Sequence, residues 1–118
     1  MKLKKEIINR IEILSYESES LTENYEKVKD FLELTVIETR SYNRKHTSYG
    51  IKHMIEDIIG GYVSNYDVKV AMAELNIIGI PSEAGCINYF YPISEKWFEF
   101  LENVRENCKE KDKKIVFC

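Results

Sequence analysis

The chain has 118 residues, 44% of them hydrophobic and 31% charged, and a formal net charge of −3. That length fits one domain whose core needs no metal or disulfide support. The balance excludes a disordered tail, and the net acidity excludes a nonspecific nucleic-acid coat, which would be basic overall.

Three cysteines, Cys86, Cys108 and Cys118, are odd in number and irregularly spaced. They predict reduced thiols rather than a disulfide framework. No apolar run approaches the roughly 18 residues of a transmembrane helix. The N-terminal isoleucines are interrupted by Glu6, Asn9, Arg10 and Glu12, which is unlike a signal peptide. A cytoplasmic protein with no membrane partner is expected.

Residues 2–15 read as a helix, with Leu3, Ile7, Ile8, Ile11 and Leu14 on one stripe. Residues 16–20 form a polar connection. Ser20 and Glu23 fit a capping box for a second helix over 21–37, with Tyr25, Val28, Phe31, Leu32 and Leu34 as its apolar positions. The β-branched residues Val36 and Ile37 at its end suit extended backbone, but the helical period carries into Val36. Residues 40–46, RSYNRKH, read as a polar turn around Asn43. Ser48 is the predicted N-cap of a third helix. Ile51, Met54, Ile55, Ile58 and Ile59 then follow the helical template, and Gly60-Gly61 stops it. Ser64 and Asp67 resemble a capping box for a fourth helix over 66–76, with Val70, Ala71 and Leu75 inward.

Beyond residue 76 the period changes. The β-branched run 77–80 and the stretch 86–91, CINYFY, predict a small β-hairpin, with Pro92 ending the second strand. Ser94 caps a last helix over 95–109, which places Trp97, Phe98, Leu101, Val104 and Cys108 on one face. Residues 109–114, KEKDKK, read as a charged terminus, and 115–117 as an edge strand or a tail. With no repeat or linker, the chain reads as a single domain over 1–118. It has an N-terminal helical part (1–38), a centre (46–94) and a C-terminal helix and tail (95–118). The fold class is α+β, mostly helical, with a helix-turn-helix (winged-helix-like) centre and a small hairpin.

From Arg40 to Ile55 the chain contains no acid. Arg40, Arg44, Lys45 and Lys52 accompany His46, His53, Tyr42 and Tyr49, a mixture suited to phosphate contact and base stacking. It equally suits an acidic protein surface or a solvated turn. If the centre is a helix-turn-helix, the fourth helix is its recognition helix, with Ser64, Asn65, Asp67, Lys69, Glu74 and Asn76 outward. Lys69 is the one base there, and Asp67 and Glu74 would repel phosphate. The His and Cys spacings match no zinc motif, so neither a metal nor a cofactor is expected. Cys86 in an apolar strand reads as a buried thiol, and no residue set forms a catalytic centre. The dense aromatics of 89–100 read mainly as core, with Tyr91 and Phe100 as a partner-facing surplus.

The segments HTSYGIKHMIE, GGYVSNYDVKVAMAELNI and NYFYPIS resemble a group of small accessory proteins of phages and integrative elements whose activity is uncharacterised. These share an H-[ST]-S-Y-G-[LI]-K-H pattern followed by Y-V-[ST]-N. The resemblance covers about residues 46–94. This chain departs at Asp67-Val68, where Phe or Gly is more usual, and at Asn76, where Gly commonly ends the helix. The resemblance implies regulation or inhibition of host defence. Joined to the basic island, it predicts a non-catalytic protein that binds nucleic acid or a nucleoprotein complex. Arg40, Tyr42, Arg44, Lys45, His46, Tyr49, Lys52 and Lys69 are the expected contacts. The alternative is an anti-CRISPR-type inhibitor of a host defence complex that binds protein directly through acidic helix faces.

Overall fold

A computed structural model describes residues 20–114, with side chains as far as Cys108. The predicted helix over 2–15, most of the connection over 16–20, and the 115–117 strand or tail lie outside the described residues. Helix α1 (Tyr25–Thr35) buries Tyr25, Val28 and Leu32 along one stripe. It starts later than predicted because its N-cap is Asn24, which makes no side-chain cap. The Ser20–Glu23 box is absent. Thr22 instead turns toward Asp67, donating its N–H to Oδ1 at 2.9 Å and its hydroxyl to Oδ2. Leu34 lies off the stripe and is 84% exposed.

The helix stops at Val36, whose φ −62° and ψ 139° are extended. Here β-branched preference overrides the helical period. The chain enters strand β1 (Glu38–Asn43), so the first four residues of the basic island, Arg40 to Asn43, are strand rather than turn. Helix α2 (Ser48–Ile59) follows. Its N-cap is Thr47, not Ser48, and the Thr47 hydroxyl accepts from the Gly50 N–H. Ser48 is fully buried, and its Oγ accepts the Tyr89 N–H at 3.0 Å, which fixes α2 to the sheet. Ile51, Ile55 and Ile58 face the core, and Gly60 ends the helix at φ 76° as expected.

Helix α3 (Asn65–Glu74) opens with the complete Ser64–Asp67 capping box. It is buried at every residue from Tyr66 to Ala73, which corrects the expected outward face. Ser64 and Asp67 are buried, as is Lys69, while Glu74 and Asn76 stay exposed. Asn76 takes φ 63°, a left-handed conformation that asparagine tolerates better than most residues.

Strands β2 (Ile80–Pro81) and β3 (Tyr89–Ile93) form the predicted hairpin, but β1 joins it and makes β3 the centre of an antiparallel sheet ordered β1-β3-β2. Pro92 lies inside β3 rather than ending it. Glu38 pairs with Ile93 and Asn43 with Tyr91, so β1 advances five residues where β3 advances two. The surplus forms a bulge opposite Pro92. A proline has no N–H to give a neighbouring strand, and a bulge is where a ladder can omit one.

Helix α4 (Glu95–Lys114) runs past the expected end at 109. Trp97, Phe98 and Leu101 enter the core, and Val104 packs against it. The Trp97 indole N–H donates to Thr35 Oγ1 at 3.0 Å. Tyr91 is 2% exposed and therefore core, whereas Phe100 remains 40% exposed. Cys108 is disulfide-bonded, against the expectation of reduced thiols, and Cys86 is free. Among the described residues, no helix is long and apolar enough to cross a membrane.

Candidate binding surface

The basic island divides into two parts with different roles. Arg40 on β1 and Arg44-Lys45 in the following turn are exposed. Among the described residues, no acid lies within ion-pair distance of any of the three. The Arg44 guanidinium lies 5.6 Å from the centre of the Phe90 ring. Asn43 shapes the turn, its Oδ1 accepting the Lys45 N–H at 3.0 Å. Tyr42 is half-buried, and its hydroxyl donates to the Ile78 carbonyl at 2.8 Å.

His46, Lys52 and Lys69 are engaged inside the protein, whereas Tyr49 and His53 are exposed. His46 stacks on Phe98 at 3.8 Å between ring centres, with Nε2 3.2 Å from Glu95 Oε2. Lys52 is 8% exposed. Its ammonium lies 3.3 Å from Glu56 and near the rings of Tyr49 and Tyr62, at 5.7 and 5.0 Å. Those two tyrosines are exposed, Tyr49 on α2 and Tyr62 in the turn after it. Lys69 is 2% exposed, donates to the Ile87 carbonyl at 2.8 Å and lies 4.5 Å from the Tyr89 ring centre. Burial lowers its pKa to about 8. Lys69 therefore belongs to the interior, not to a recognition face.

Beside β1 lies an open depression of about 460 Å³. Thr39, Tyr42, Arg44 and Lys45 line it from β1 and the turn, and Ile93 and Glu95 from the end of β3 and the start of α4. The lining residues from Thr39 to Asn43 fall in the stretch where the β1–β3 register shifts. One carboxylate shares the depression. Asn43 Nδ2 donates to Glu95 Oε1 at 2.9 Å. This bond and the His46 contact hold the Glu95 pKa below the usual carboxylate range.

Glu95, Asn43, Thr39 and Tyr62 were not singled out as contacts from the sequence. Thr39 and Asn43 sit in a stretch with no apolar alternation, and Glu95 resembles any first-turn acid. Cys86 also departs from expectation. It lies in the loop before β3, half-exposed, with Sγ accepting from Ser82 Oγ at 3.3 Å and from the Asn88 N–H at 3.4 Å. These bonds lower its pKa. Among the described residues, no group of three or more His, Cys, Asp or Glu side chains is placed to hold a metal ion. Against known proteins, no family, no curated sequence and no solved structure matches the chain.

Proposed function

We propose that this chain is a non-catalytic accessory protein of a mobile genetic element, and that it binds nucleic acid, alone or within a nucleoprotein complex, through β1 and the Arg44-Lys45 turn. The observation that carries the reading is the grouping of Arg40, Arg44 and Lys45. All three are exposed and lack an ion-pair partner among the described residues, and Arg44 and Lys45 border one depression, while the other cations of the island are engaged internally. An exposed cation without an ion-pair contact on an acidic protein is positioned for an external anion.

The element order, helix, strand, helix, turn, helix and hairpin, is that of a winged helix, and we read the scaffold so. Residues 82–88 take the place of the wing. With Lys69 buried, α3 is unsuited to groove reading, and the working surface moves to the sheet edge. The test is fluorescence anisotropy with labelled DNA and RNA across salt. Three phosphate contacts predict a log–log slope of about −2 to −3, or a roughly 20- to 40-fold loss of affinity between about 50 and 200 mM salt. Absence of binding at the low-salt end rejects the reading.

One observation favours direct inhibition of a defence complex instead. Glu26, Asp30 and Glu33 are exposed at helical spacing on α1 and form an acidic ridge that resembles a run of phosphates. In that case the purified protein co-elutes with the complex and blocks its target binding, and reversing the three charges abolishes both effects.

A further inference from the structure

We propose that the depression beside β1 receives one unstacked nucleotide of a single-stranded nucleic acid, with the base and sugar inside and the flanking phosphates on Arg44 and Lys45 at the rim. The proposal rests on the nucleic-acid reading above and names the strandedness of its ligand. Size is the first argument. A depression of about 460 Å³ falls within the range of small-molecule sites, far above what a lone ion needs.

The distribution of charge is the second. Glu95 lies on the wall, and two donors hold it ionised. A fixed carboxylate there repels phosphate from its side of the depression. It accepts hydrogen bonds well, and the exocyclic amino group of a base or a sugar hydroxyl supplies them. The cations stand in the adjacent turn, on a different segment from the carboxylate. Amino or hydroxyl groups inside with phosphates outside is the order of groups along a nucleotide. An acidic peptide would bring carboxylates against Glu95.

The third argument is the wall itself. Tyr42 is among the lining residues and half-buried, and its hydroxyl is anchored on Ile78, so its position is set before any ligand arrives. Aromatic faces of this kind support unpaired bases. A duplex keeps its bases stacked and offers an edge strand little but phosphates. It would meet the rim cations and the carboxylate without filling the depression.

The experiment compares labelled single strands of about ten nucleotides with the matching duplex on the full chain. One accommodated base predicts single-strand binding about 5- to 150-fold tighter than duplex. Glu95→Gln removes the carboxylate's repulsion and narrows that ratio. Arg44→Gln with Lys45→Gln weakens both ligands together, and circular dichroism verifies that each variant is folded. Equal or tighter duplex binding by the wild type overturns the single-strand proposal and leaves nucleic-acid binding standing. Binding of neither ligand overturns both. Displacement of the single strand by poly-glutamate at equal charge concentration overturns the proposal in favour of a protein partner. A Glu95→Gln variant with unchanged selectivity also overturns it, because the carboxylate then plays no part in recognition.

Discussion

Asp67→Ala tests how the buried helix α3 is held. The carboxylate is fully buried and accepts three hydrogen bonds: Thr22 N–H at 2.9 Å, the Thr22 hydroxyl, and Ser64 N–H at 3.2 Å. Alanine leaves the Ser64 N–H without its partner in the interior, a desolvation penalty of about 1–3 kcal/mol. Thr22 is half-buried, so water partly replaces its two bonds, and their loss costs about 1 kcal/mol each. Removing negative charge from a helix N-terminus adds about 1 kcal/mol. Relief of the buried charge's own desolvation offsets part of the sum. The net expectation is about 3 kcal/mol, a large share of the roughly 5–15 kcal/mol that holds a domain together.

In urea, with a slope of about 1.5 kcal/mol per molar, the unfolding midpoint falls by about 2 M. Ser64→Ala removes only the cap oxygen and costs about 1 kcal/mol. The double variant should be less destabilised than the sum of the two, because both side chains serve one capping box. A loss below about 1 kcal/mol for Asp67→Ala would refute the view that this carboxylate fastens the segment before α1 to the start of α3.

Three further substitutions probe the sheet and the interior. Gly79→Ala would place a methyl 2.6 Å from Tyr91 Cε1 and 2.8 Å from Tyr89 Cδ2. It should cost about 1–3 kcal/mol by thermal or urea unfolding, and a neutral result would mean that the two rings move freely. Tyr91→Phe removes a buried hydroxyl that has no hydrogen-bond partner among the described residues, so stability should rise by about 1 kcal/mol. A clear loss instead would reveal a partner for that oxygen. Lys69 has its pKa lowered from 10.5 to about 8, so between those values the unfolded chain binds more protons than the folded one. Stability relative to Lys69→Met should therefore rise from about pH 8 to 10.5, by up to about 1.4 kcal/mol per unit. A pH-independent difference between the two proteins would contradict the assignment.

What the sequence displayed depended on whether an element faces water on one side. Helix α2 has a wet face and a dry face, so its isoleucines mark it, and Gly60 marks its end. Helix α3 shows no such contrast. Its buried stretch holds Asp67 and Lys69, each satisfied by partners distant in sequence, Thr22 and Ile87. Periodicity reports polarity, not satisfaction, and reads those two residues as outward. Strand β1 was hidden for the opposite reason. Glu38 to Ser41 are all exposed, so no alternation announces a strand. Pro92 misled through a rule that holds where every strand position must donate, and the bulge in β1 lifts that requirement locally. The candidate surface was half legible. An acid-free run with three usable cations was visible, but the internal engagement of Lys52 and Lys69 requires contacts that only the fold supplies.

The bulge opposite Pro92 also bears on how such a surface can change. Register between β1 and β3 is marked by the Glu38–Ile93 and Asn43–Tyr91 pairs, and it shifts between them. A residue added or removed there would alter the width and chemistry of the depression without shifting the side chains that face the core. Ordinary strands forbid such length changes, because a slip of one residue turns every side chain to the other face. This edge is thus a place where selection can vary the strand in length as well as in sequence, with the lowest cost at the exposed Thr39, Arg40 and Ser41 and a higher one at Tyr42, which is tied to Ile78.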